Sequence, residues 1–176
     1  MGKRNWRSVQ HFPHEWSNRT RLAANLIEDT WSVIEFGAGN GYLGNILGTE
    51  HKYLPTDLIK RRDEFEIVNL DLPLKLSGTF DAGVAMGVLE YVSNVRFTLK
   101  EVSNSVPNLI TTYCCARYRF PRFKPLRKYI GWKNHLTATE FEERMDEAGF
   151  VLVYKEIIEK RFFYRQYLYK LKSRNA

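Results

Sequence analysis

The residues best placed to do chemistry lie in one stretch, Val33-Ile34-Glu35-Phe36-Gly37-Ala38-Gly39-Asn40-Gly41-Tyr42-Leu43-Gly44. Its apolar start with a β-branched pair reads as a buried strand. Glycines follow at every second position, and then Tyr42, Leu43, Ile46 and Leu47 fall at helical spacing. Strand, glycine turn and helix form the opening unit of a nucleotide-binding α/β sheet. Glycine suits the turn because a side chain would hold a ligand off the backbone, and because tight turns call for positive φ. A second acid, Asp57, stands sixteen residues after Gly41, at the end of the strand-like run from His51 to Leu58. A carboxylate at such a tip accepts both hydroxyls of a ribose. These residues describe a site for an adenosine-containing ligand.

Counted from Gly39, the loop matches the dinucleotide pattern G-x-G-x-x-G. That pattern begins where a strand ends, however, and this strand ends at Phe36. Counted from Gly37, the loop is G-x-G-x-G with Glu35 two residues upstream. A pyrophosphate would be repelled by that acid. The arrangement resembles motif I of the class I S-adenosylmethionine-dependent methyltransferases, whose cofactor carries a sulfonium and an ammonium. The resemblance implies a cofactor site made by Glu35, Gly37, Ala38, Gly39, Asn40 and Gly41, with Asp57 and Leu58 at the ribose.

Later stretches extend the resemblance from about Leu22 to Tyr169. Asp71-Leu72-Pro73 resembles the family's adenine-contacting loop and brings Asp71 and Leu72 to the cofactor. Phe80-Asp81 through Val88-Leu89-Glu90-Tyr91-Val92 looks like the motif around the fourth strand, with Met86 and Gly87 beside the cofactor. Many relatives carry histidine where Tyr91 stands. Ala148-Gly149-Phe150 resembles the family's close before its sixth strand.

The elements that must position these residues follow from periodicity and punctuation. Ser17 is expected to cap a helix through Leu22, Ala23, Leu26 and Ile27. Further strands are expected over Glu66–Leu70, Thr79–Met86, Asn108–Cys114, Val151–Ile158 and Phe162–Tyr169. Val95, Leu99, Val102 and Val106 share a helical face. Thr139-Glu140-Phe141-Glu142 reads as a capping box opening a helix. The expected fold is a single-domain, Rossmann-like α/β methyltransferase with a mostly parallel seven-stranded sheet. Its last strand is antiparallel and helices cover both faces. Residues 1–21 form an N-terminal cap segment, and 115–136 an irregular connection on the acceptor side.

The net charge of +7 is unevenly spread. Residues 28–112 hold twelve acids against seven bases, whereas 117–133 hold seven bases and no acid. The first 21 residues carry five bases and one acid, and the tail from Lys160 six bases and no acid. A basic rim around an acidic core suits an anionic partner. Cys114 and Cys115 are neighbours on a strand and point to opposite faces, so they read as two packed thiols in a reducing, cytoplasmic compartment. No run reaches the roughly 20 apolar residues of a membrane span. His11, His14 and His51 show no metal-ligand spacing.

The reaction the resemblance implies is methyl transfer to an oxygen, nitrogen or carbon nucleophile. It depends chiefly on alignment, so few side chains need do chemistry. For a hydroxyl acceptor, His135 is the first candidate base, with Glu90 and Tyr91 behind it. Arg117, Arg119 and Arg122 suit bidentate contact with an anion, and Trp132 offers a stacking face. The acceptor is expected to be a small molecule or sugar, anionic, in a bacterial surface-polysaccharide pathway. The alternatives are an RNA substrate on the basic rim, or a cofactor-binding scaffold without turnover. The oligomeric state is left open.

Overall fold

The computed structural model describes residues 14–117 and 124–175. Helix α1 (His14–Ala24) leads into β1 (Val33–Phe36), whose four residues are all buried. The glycine loop then opens α2 (Tyr42–Leu47), followed by β2 (Tyr53–Asp57), β3 (Glu66–Ile67) and β4 (Ala82–Met86). Next come α3 (Val95–Ser105), β5 (Asn108–Ala116), α4 (Lys124–Tyr129), α5 (Ala138–Glu147), β6 (Phe150–Lys160) and β7 (Tyr164–Ser173).

The seven strands form one sheet in the order β3-β2-β1-β4-β5-β7-β6. Neighbours from β3 to β5 run parallel, and β7 is antiparallel to both β5 and β6. This is the expected seven-stranded sheet with its antiparallel last strand. Alternate residues serve two cores. Ile34, Phe36, Leu109 and Tyr169 pack with Leu99 and Val102 of α3 and Phe141 and Met145 of α5. Val33, Val84, Ile110 and Leu168 pack with Ala23, Leu43 and Leu47 on the opposite face. Burial on both faces explains why these strands read as apolar runs. The carboxyl ends of the parallel strands meet at one edge, where ligands bind in such sheets.

One close approach shapes that edge. A Cβ on Gly44 would lie 2.6 Å from Tyr53 Cε1. Glycine thus lets α2 press onto β2 and aims the Tyr53 hydroxyl toward β1.

Several expectations are corrected. Ser17 lies within α1, which already begins at His14, so it is not the cap. The third strand is two residues long, because the chain turns at Asn69, where Leu72 N donates to the Asn69 carbonyl at 3.0 Å. The connection expected to be irregular contains α4, with Pro125 in its first turn, where a missing N–H costs nothing. The capping box is formed by Thr137 and Glu140, two residues before Thr139 and Glu142. Glu142 instead pairs with Lys155 across to β6. Cys114 and Cys115 are both buried free thiols. No helix among the described residues is long and apolar enough to cross a membrane.

Loss of the Thr137 hydroxyl leaves the Glu140 amide without its cap, so Thr137→Ala should cost about 1 kcal/mol, whereas Thr139→Ala should be nearly neutral. Chemical denaturation of the two variants distinguishes the registers, and equal losses would contradict the assignment.

Candidate active site

The loop after β1 is held in left-handed turns, with φ of 70° at Gly37, 61° at Gly39 and 73° at Gly41. L side chains rarely adopt that region, and at Gly37 a Cβ would also lie 2.5 Å from Val88 Cγ2. Ala38 N donates to the Thr56 carbonyl at 2.8 Å, which ties the loop to β2. Asp57, at the tip of β2, turns its carboxylate back onto the loop. It accepts from Gly39 N at 3.1 Å, from Leu58 N at 2.7 Å and from Arg61 Nε at 2.8 Å. Three of roughly four lone-pair sites are engaged, which leaves room for one more donor. Arg62 Nη2 donates to the Asn40 carbonyl at 2.9 Å.

Glu35 faces inward beneath the loop and is buried. Burial pushes its carboxyl from 4.5 up to about 8, against the Tyr53 hydroxyl that donates to Oε2 and the nearby charge of Arg19. The acid beside the loop is therefore a protonated one at neutral pH until a cation arrives to favour its charge.

Arg19 is a site residue that sequence reasoning missed. It reaches from α1 to the end of β4, where Nη2 donates to the Met86 carbonyl at 2.9 Å. Its guanidinium lies against Gly87, where a Cβ would meet Nη1 at 2.5 Å. Burial opposes its charge, and Glu90 is the first of the groups that support it. No local pattern marks Arg19, since its partners lie in distant segments.

On the far side of β4, Glu90 and Arg127 are each only 1% exposed. Glu90 Oε1 accepts from Cys114 N at 2.7 Å, and Arg127 Nη2 donates to the Cys114 carbonyl at 2.7 Å. Burial, then the carboxylate of Glu90, pushes the Cys114 thiol well above its ordinary range. Arg127 Nε donates to His135 Nδ1 at 3.1 Å, so the neutral ring carries its proton on Nε2. Trp132 is buried with the Arg127 guanidinium 4.5 Å over its ring and the Tyr164 ring edge-on at 5.6 Å. Asn134 pins this connection to the loop after β4, donating to the Leu89 and Val92 carbonyls at 2.7 and 3.1 Å. Tyr91 is held nearby, its hydroxyl pushed up by burial and then by Glu90.

The other expected residues stand further out. Asp71 accepts from Ser93 N at 2.6 Å, Ser93 Oγ at 2.8 Å and Lys133 Nζ at 3.1 Å. Burial opposes its charge, but these donors outweigh it and hold the carboxyl below its usual range. Leu58 and Leu72 are exposed. Arg117 borders a cavity of about 200 Å³ with Arg165 and Tyr167. Arg119 and Arg122 lie outside the described residues.

A 3-2-1-4-5-7-6 sheet with a glycine loop after its first strand and an acid at the tip of its second defines a class I methyltransferase fold. A family model described as a methyltransferase domain matches residues 6–155. The chain belongs to that family and is an S-adenosylmethionine-dependent methyltransferase. Its fold resembles an S-adenosylmethionine-dependent methyltransferase from Mesorhizobium loti, with TM-score 0.70, 14% identity, and 86% of this chain and 96% of that chain covered. It also resembles magnesium protoporphyrin IX methyltransferase from Synechocystis with bound SAH, with TM-score 0.68, 14% identity, and coverage of 97% and 92%. A third likeness is the N-terminal domain of EvdMO1 in the presence of SAH and D-fucose, with TM-score 0.65, 13% identity, and coverage of 94% and 85%. A comparison with curated proteins found no match.

Glu35 sets a pH dependence. Its folded value exceeds its unfolded one, so the folded protein keeps a proton that the unfolded chain releases above pH 4.5. Its contribution is complete below pH 4.5 and declines until the folded group also ionises near pH 8. Glu35→Gln keeps an acceptor for Tyr53 and should remove this decline, leaving the variant more stable than wild type at pH 9. Denaturation curves from pH 5 to 9 check this, and parallel pH profiles would contradict it.

Proposed function

We propose that the protein methylates a small-molecule or sugar acceptor that carries negative charge. The reading rests on one juxtaposition along the carboxyl edge of the sheet. The glycine loop and Asp57 stand at one end of it, and the buried Glu90 and Arg127 at the other. The family's cofactor, when bound, supplies a methyl group on a positively charged sulfur.

The chain's own residues would bind and orient it. Gly37, Ala38, Gly39, Asn40 and Gly41 lie along it, and Asp57 accepts from the ribose beside Leu58. Asp71 and Leu72 border the adenine, and Met86 and Gly87 form the floor. Glu35 faces the ammonium, and Arg19 takes the carboxylate as a charged fork. Of the N-terminal cap segment, residues 1–21, the first 13 lie outside the described residues, and Arg19 is the contribution of the described part. Residues 115–136 enclose the acceptor, with Arg117, Arg119 and Arg122 drawing anions toward it and Trp132 holding Arg127 in place. Around the acceptor, His135, Glu90 and Tyr91 are the groups able to hold or move a proton.

Burial favours a small acceptor over a nucleic acid. Phosphate-backbone contact needs exposed bases, and it makes affinity fall steeply with salt. The basic surface at Arg117 and Arg165 keeps RNA as the second reading. The sugar reading gains support from the relative described in the presence of D-fucose, and it fits a cytoplasmic enzyme of a bacterial surface-polysaccharide pathway.

Calorimetry should give micromolar-range affinity for S-adenosylmethionine and no measurable binding of nicotinamide dinucleotides. Gly39→Val should abolish cofactor binding in a protein that still unfolds cooperatively. Tighter binding of a nicotinamide dinucleotide would overturn the proposal.

A further inference from the structure

Glu90 and Arg127 hold the two polar groups of one peptide residue, Cys114 N–H and Cys114 C=O. The last paired residues of β4 and β5 are Met86 and Thr112, two positions before Cys114. In a sheet, one residue's amide and carbonyl face the same neighbouring strand. The carboxylate and the guanidinium therefore stand side by side where β4 would have continued.

Both groups are fixed from behind. Arg127 is held by His135 and by the ring of Trp132. The Glu90 backbone carbonyl accepts from Lys133 N at 2.8 Å. Yet Glu90 Oε2 and Arg127 Nη1 are both buried, and neither has a hydrogen-bond partner among the described residues. A buried charged atom without a partner is costly, and two on neighbouring side chains mark a place for a ligand that satisfies both.

We propose that Glu90 Oε2 and Arg127 Nη1 form the acceptor subsite, and that it takes a small hydroxy carboxylate such as a sugar acid. The inference rests on the methyltransferase reading above. The ligand's carboxylate accepts from Arg127 Nη1, and a hydroxyl on the same molecule donates to Glu90 Oε2. A monoanion fits better than a phosphate, whose second charge would lie against Glu90. In the transfer, the hydroxyl oxygen bonds to the methyl carbon while the carbon–sulfur bond breaks with its electron pair onto sulfur. The hydroxyl proton passes to Glu90 Oε2. Glu90 is thus the catalytic base, and His135 is a positioning residue acting through Arg127.

The test uses the full chain saturated with S-adenosylhomocysteine and titrated with D-glucuronate and D-galacturonate. At least one sugar acid should bind, with D-glucose and D-glucose 6-phosphate at least about tenfold weaker. Arg127→Gln and Arg127→Lys should each weaken the sugar acid by at least about tenfold while S-adenosylhomocysteine affinity holds. The lysine variant guards against misfolding in the other. Glu90→Gln should keep the sugar acid but lower methyl transfer to it by about two to four orders of magnitude. Failure of S-adenosylhomocysteine itself to bind would refute the methyltransferase reading. Normal S-adenosylhomocysteine binding with no sugar-acid binding, or with Arg127 variants that bind it unchanged, would overturn the subsite. Tighter, steeply salt-dependent binding of polyuridylate would overturn it in favour of RNA.

Discussion

Charge held out of water along the carboxyl edge of the parallel strands constrains the rest of this molecule. Glu35, Glu90 and Arg127 are buried and Arg19 is half-buried, on segments brought together only by the sheet. Each buried ion must recover lost hydration through fixed partners. Glu35 recovers little and stays protonated near neutrality, whereas Arg19 leans on the Met86 carbonyl and on Glu90. Glu90 and Arg127 share the peptide of Cys114. Such an edge is expensive to build for stability alone, and it is arranged around the place where a cationic nucleoside and its reaction partner meet.

The packing serves this edge. Gly44 permits the contact that delivers the Tyr53 hydroxyl to Glu35. Asn134 anchors the connection carrying His135, Trp132 and Lys133 to the loop that carries Glu90. The hydroxyl of Tyr113, buried in the core under α5, donates to that same Asn134. Stability and site geometry are therefore coupled through a few side chains on the long connection after β5.

How much was legible in the sequence depends on how local each signal is. The glycine loop and Asp57 are legible because strand, turn and spacing lie within 25 residues. The sheet follows from apolar runs and their punctuation. The capping box was misplaced because Thr137/Glu140 and Thr139/Glu142 have the same spacing, and only the pairing of Glu142 with Lys155 separates them. Arg19 was invisible because it bonds Met86, 67 residues away. Arg127 was one base among seven in its segment, and only its burial against Cys114 sets it apart. His135 was noticed for its chemistry, but the hydrogen bond that fixes its tautomer comes from that same hidden arginine.

A structure of the protein crystallised with S-adenosylhomocysteine tests the central claim most directly. The account predicts the ribose on Asp57, the amino-acid end between Glu35 and Arg19, and the sulfur turned toward Glu90 and Arg127. A ligand seated elsewhere, or one whose amino-acid end points away from Arg19, would contradict it.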